Sequence, residues 1–369
     1  MAAGWTLVAM QVSALALDAP LLALTARWPR RELISGSMAV VGLTCAVAAA
    51  APSYAALLVA LSFYGLALGM ATGTSQAALM DMAGGDSPAP GGRQGPARDP
   101  RPADQAQRER MISRWSLLGA IGDVGAPLLV GGLALVGAGW RVAMALLAVL
   151  AVAHAALIAR GPSLQAVPDG DEENGAENGA RAGSLRTAIL WCCAGVLCAL
   201  LDEILVAFGA LRLDQLGATP LQRGLVLVAW VVGQIAGLAA SEWVWSRIHP
   251  LRLMMLCSAG CAVAYAAWLG VSWLPGSALL LLLSGFFGSA LFPVVTAQAY
   301  AALPGRSTTV SAIAAVTAVG ELLMPVLIGL AADHWGLRTA LALLLLEPVG
   351  LGIVAAAVLA RGRGSGRRA

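Results

Sequence analysis

The chain is a succession of long apolar runs, and this limits its fold more than any other feature. Eleven runs are legible, at 4–26, 33–51, 53–80, 114–137, 141–159, 186–211, 221–246, 251–273, 276–303, 307–332 and 338–360. Each is close to the ~20 residues that a helix needs to cross a hydrocarbon core ~30 Å thick. No water reaches backbone groups there, so a spanning segment must satisfy its own hydrogen bonds as a helix or close into a barrel. Barrel strands are short and alternate apolar with polar residues, and these runs do neither. Only 12% of the residues are charged while 59% are hydrophobic, about half the charge of a soluble domain. The expected fold is an all-α membrane protein, a polytopic bundle of eleven transmembrane helices.

Arginine sets the expected orientation. If the Arg27–Arg31 loop is inside and the sides alternate from there, 19 of the 23 basic residues fall inside, and Arg141, Arg212, Arg223 and Arg338 fall outside. That asymmetry is the positive-inside signature. It places the carboxyl terminus and its arginine-rich tail, 361–369, in the cytoplasm of a bacterial inner membrane. Two polar connections are long. Residues 82–113 read as a flexible cytoplasmic loop, and 161–185, with Asp169-Gly170-Asp171-Glu172-Glu173, as a linker between two parts of the chain.

Those two parts repeat one another. Gly122-Asp123…Pro127…Gly131-Gly132, then Gly139-Trp140-Arg141, has a counterpart in Gly320-Glu321…Pro325…Gly329, then Gly336-Leu337-Arg338. Upstream of each copy stands a second echo, Thr74-Ser75-Gln76-Ala77 and Thr296-Ala297-Gln298-Ala299. The expected organisation is therefore two parallel halves: an amino-terminal bundle, 1–160, and a carboxy-terminal six-helix bundle, 186–360.

These motifs resemble those of transporters of the major facilitator superfamily. Pro127 through Arg141 is similar to that family's fifth helix and the turn into its sixth, and Pro325 through Arg338 to its eleventh and the turn into its twelfth. Arg27, Arg30 and Arg31 fit the basic loop after its second helix, although Ala26 and Pro29 stand where the family has an aspartate and a glycine. The resemblance implies two bundles around a central cavity with alternating access. It also implies that the chain lacks the family's first helix, either as an eleven-helix variant or because the start lies too far downstream. The amino terminus is then expected outside.

An ionisable side chain in mid-bilayer costs at least ~2.5 kcal/mol and usually faces a cavity or a partner. On that ground the proton-coupling candidates are Asp123, Glu321, Asp202, Glu203 and Asp18. Neighbours in sequence point about 100° apart on a helix, so Asp202 and Glu203 cannot both face one wall. Glu242, five residues from Arg247, reads as structural. The substrate-cavity candidates are Thr72, Thr74 and Gln76 with Thr296 and Gln298, against the plainer reading that such groups hold helices together. Pro127, Pro293 and Pro325 are expected to bend their helices.

No His-Glu-x-x-His, nucleophile triad or Walker loop is present, and the cysteine spacings do not suggest a metal, so neither an enzyme nor an ATP-driven pump is expected. Cofactors, metals and nucleic acid have no place in this reading. The expected function is secondary active transport of a small molecule by a monomer in the lipid bilayer, with efflux coupled to protons. Uptake of a sugar or organic acid, and a non-transporting sensor, are the alternatives.

Overall fold

The computed structural model describes residues 12, 13, 20, 21, 28–83, 102–161, 178–244, 247–303 and 306–365. Most of the first apolar run, Asp18 included, lies outside them. Among the described residues the chain forms helices and turns without strands, and nine helical segments are long and apolar enough to cross a membrane. The helices are α1 (Arg30–Ala50), α2 (Tyr54–Ala83), α3 (Pro102–Leu135), α4 (Trp140–Arg160), α5 (Asn178–Leu197), α6 (Leu205–Gln215) and α7 (Pro220–Val244). They continue as α8 (Pro250–Gly270), α9 (Leu274–Gly288), α10 (Leu291–Ala302), α11 (Ser307–Thr317), α12 (Val319–Trp335), α13 (Leu337–Leu343) and α14 (Leu346–Ser365). A π-helical turn, Leu200–Ile204, joins α5 to α6.

The exposed surface is that of a protein dissolved in lipid. Leu43, Val149, Leu157, Val263 and Ile353 all point outward, which in water would be a large unpaired apolar surface. Trp28, Trp140, Trp243, Trp273 and Trp335 are exposed near helix ends, where an interfacial belt needs them.

Two helices begin earlier than their apolar runs suggest. Residues 102–113 belong by composition to the expected polar loop, yet α3 starts at Pro102. Proline suits the first helical position, and the Gln, Arg and Glu residues after it are good helix formers. In the same way α5 begins at Asn178, inside the expected linker.

Among the described spans, those of the first half are continuous, whereas four in the second half are interrupted. Ser289 and Ala290 separate α9 from α10, and Leu344 and Leu345 separate α13 from α14. Each break begins four residues before a proline, Pro293 or Pro348. Proline lacks the N–H for that carbonyl and its ring crowds it. At the second break Leu344, Leu345 and Glu347 donate to carbonyls three residues back, and the Tyr265 hydroxyl donates to the Leu341 carbonyl at 3.0 Å. The turn at Ala318 and the π-turn have no proline four residues on.

Contacts divide the chain into two compact units, each drawing on both halves of the sequence. One comprises Met1–Pro100, Gly125–Ile189 and Tyr300–Val319. Here α1 packs against α4 and α2 around Val41, Cys45, Ala67, Ala148 and Ala151, with Gly42 so close to Ala148 and Val152 that a Cβ would overlap them. Helix α11 lies on α2, and Arg30 donates from Nη2 to Ser307 Oγ at 2.7 Å.

The other unit comprises Arg101–Val124, Leu190–Ala299 and Gly320–Ala369. Its core is built on Leu201, Leu205, Trp230, Tyr265, Trp268 and Leu341, all buried. Helices α7 and α9 meet backbone to backbone: a Cβ on Gly233 would lie 2.0 Å from the Leu282 carbonyl oxygen, and one on Gly285 2.2 Å from that of Trp230. Small residues permit this approach, which replaces the hydrophobic drive that helices lack in lipid. The Ser113 and Ser241 hydroxyls pair at 2.8 Å, and Trp115 stacks on Phe292.

Candidate functional site

The acids divide into one that stands on an open helix face and three that share a neighbourhood. Asp123 is exposed on α3, and a Cβ on Gly119, Gly122 or Gly125 would meet nothing within 4 Å. No break marks this copy of the repeat, because α3 runs unbroken through it. Its counterpart Glu321 is half-buried in the first turn of α12, where the positive end of the helix dipole favours a carboxylate. Gly320 beside it packs on Val196.

Asp202 sits in the π-turn, with its side chain exposed. Its Oδ1 accepts a hydrogen bond from Gln234 Nε2 on α7. A π-turn inserts one residue into the helical repeat and rotates the helix beyond it; such turns are frequent at functional sites. The Glu203 side chain lies outside the described residues.

Glu347, which was not among the candidates from the sequence, completes the group. It is only 4% exposed, and its Oε2 accepts the Leu201 N–H at 2.7 Å. The break before Pro348 places it at the start of α14, facing the π-turn. It lies within electrostatic range of Asp202, and Cys198, just before the π-turn, is within range of Glu347, Asp202 and Glu321. Asp202 and Glu347 thus meet at the π-turn, and Glu321 is linked to them through Cys198. No interaction among the described residues ties Asp123 to them. Among those residues no set of three or more His, Cys, Asp or Glu has the arrangement to hold a metal ion.

The polar candidates fall in both units. In the first, Thr72 donates its hydroxyl back to the Leu68 carbonyl at 2.8 Å, as a helix-bound threonine does. Thr74 is buried, its Oγ1 without a hydrogen bond among the described residues, and Gln76 is half-buried. In the second, Thr296 and Gln298 are half-buried, and Gln298 Nε2 is enclosed without an acceptor among the described residues. A buried amide N–H without a partner costs about 1–3 kcal/mol, so Thr74 and Gln298 retain hydrogen-bonding capacity that no described residue uses.

Interrupted apolar spans with carboxyls at the breaks are the architecture of a membrane carrier. The sequence profile of the Major Facilitator Superfamily matches residues 1–201, and the chain belongs to that superfamily. It is therefore a transporter and not an enzyme. Among solved structures, the chain is similar to the transporter FucP in its outward conformation, with 16% identity, 96% of this chain and 89% of that one covered, and a TM-score of 0.69. It is also similar to the proton:xylose symporter XylE, with 11% identity, coverage of 95% and 84%, and a TM-score of 0.71. The human organic anion transporter MFSD10 follows with 17% identity, coverage of 96% and 82%, and a TM-score of 0.66. At these identities the likeness is one of fold. No curated protein matches the chain in sequence.

Proposed function

We propose that the chain is a proton-coupled carrier that moves a small molecule out of the cell by alternating access. One observation carries this reading: Asp123 and Asp202 lie within apolar helices and yet have exposed side chains. A carboxyl held at membrane depth and accessible from outside the protein core is suited to taking up and releasing protons. The glycine-rich run around Asp123 and Pro127 favours export, since it resembles the glycine-proline motif of proton-coupled exporters in this family. Residues 1–160 and 186–360 are the halves that rock, joined by 161–185. The arginine-rich helix ends face the cytoplasm of a bacterial inner membrane. Gln76, Thr74, Thr72, Gln298 and Thr296 contribute to the substrate cavity, and the carrier works as a monomer.

Proton-coupled uptake is the second reading. The fold likeness to a protein described as a fucose:proton symporter and to the proton:xylose symporter favours it.

The test is accumulation of labelled drugs, sugars and organic acids in energised cells expressing the chain, with and without a protonophore. Export predicts lowered accumulation of at least one compound, abolished by the protonophore and by Asp123→Asn or Glu321→Gln in protein that still inserts. Raised accumulation would reverse the direction. Unchanged accumulation of every compound, with the protein in the membrane, would contradict transport of these classes.

A further inference from the structure

Glu347 is an acid enclosed in the apolar core of its unit that the proposed cycle has not yet used. Its carboxyl is hydrogen-bonded to a backbone N–H of a π-turn. That N–H belongs to Leu201, fully buried and next in sequence to Asp202. Glu347 is itself placed by the Pro348 break, where Tyr265 holds the Leu341 carbonyl. Titratable groups face it from two directions: Cys198 and Asp202 from the π-turn region, and Cys261 and Tyr265 from α8. None of these groups is a cation, and the Leu201 N–H is the donor that the Glu347 carboxyl holds among the described residues.

We infer that Glu347 is a protonation-controlled latch: its carboxylate clamps the Leu201 N–H and so fixes the π-turn that presents Asp202 to Gln234. An ionised carboxylate accepts a markedly stronger hydrogen bond than a neutral carboxyl. When Glu347 takes a proton from water, the clamp weakens and the π-turn is free to shift register. Return of the proton to water tightens the clamp again. Glu347 is a positioning residue that acts through Leu201 and Asp202, and proton uptake becomes movement of a helix segment. The inference deepens the proton-coupled reading and rests on it for its role in transport.

The experiment is hydrogen–deuterium exchange of the purified full chain in lipid nanodiscs, without substrate, from mildly acidic to mildly alkaline pH. Rates are corrected for the intrinsic pH dependence of exchange. In the wild type, amides of the Leu200–Leu205 segment are expected to exchange about tenfold faster at the acid end, the difference between a charge-assisted and a neutral hydrogen bond. Amides of α8 serve as the internal reference. Glu347→Gln should lose the pH dependence and exchange at the fast rate throughout. Asp202→Asn should keep the dependence, because Glu347 and Leu201 remain in place.

Wild-type exchange that does not vary with pH would overturn the latch. So would a dependence that survives Glu347→Gln or vanishes in Asp202→Asn. If Glu347→Gln does not fold, the wild-type and Asp202→Asn profiles still decide. Because exchange is read without substrate, a failed transport assay would remove the functional reading and leave this result standing.

Discussion

Two arginines close helix ends in the same way, one in each unit. Arg141 donates from Nη2 to the Ala51 carbonyl at 3.0 Å, where α1 ends, and its guanidinium lies over the Trp140 ring. Arg212 donates from Nη2 to the carbonyls of Leu269 and Val271, 2.9 and 3.0 Å away at the end of α8, and lies 4.4 Å over the Trp268 ring. Both satisfy carbonyls that a helix terminus leaves without donors, and both place a cation at the negative end of the dipole. Lysine keeps the charge but cannot reproduce the planar guanidinium stacked over the ring. Arg212→Lys is expected to cost about 2 kcal/mol, from a charged hydrogen bond and most of the cation–π contact. Thermal unfolding in detergent checks this, with Arg223→Gln as the comparison. The Arg223–Asp214 pair is partly exposed at 2.9 Å, and losing it should cost under ~1 kcal/mol.

At the scale of the helices, the contact between α7 and α9 makes a sharper prediction. In an open helix interior, Gly→Ala gains up to ~1 kcal/mol of propensity, and Gly224, with nothing within 4 Å of a built Cβ, is expected to behave so. At Gly233 the same methyl would be driven into the Leu282 carbonyl. Gly233→Ala should therefore destabilise by more than ~2 kcal/mol despite its better propensity. Equal melting temperatures for the two variants would contradict the close packing of α7 on α9.

The helices themselves are legible in the sequence because lipid leaves the backbone few choices, so length and apolarity alone mark nine of the spans. The breaks are half legible. Pro293 is expected to bend its helix and does stand four residues after a break, and Pro348 carries the same signal less conspicuously. The π-turn has no such mark; it is a matter of how Leu200, Leu201 and Ile204 pack into the core. Glu347 shows one clue, an acid next to a proline inside an apolar run. Its partner is 146 residues away, and no local pattern encodes such a pairing. The helical start of α3 is hidden because its polar composition suggests a loop, although Gln, Arg and Glu are as much at home in a solvated helix.

At the scale of the whole molecule, hydrogen bonds between the sequence halves include two beside arginine-bearing helix ends. Arg30 bonds Ser307, and Ser311 reaches the Gly73 carbonyl at 3.4 Å within one unit. Ser113 bonds Ser241 within the other. On the proposed mechanism these ends must part in every cycle. The most direct test is a reversible bond across one such contact. In a background without native cysteines, Ser113→Cys with Ser241→Cys places two thiols where hydroxyls now sit 2.8 Å apart. Transport of the compound found in the accumulation assay is then measured after oxidation and again after reduction. The account predicts that the disulfide stops transport and that reduction restores it. Undiminished transport with the disulfide fully formed would contradict alternating access through these ends.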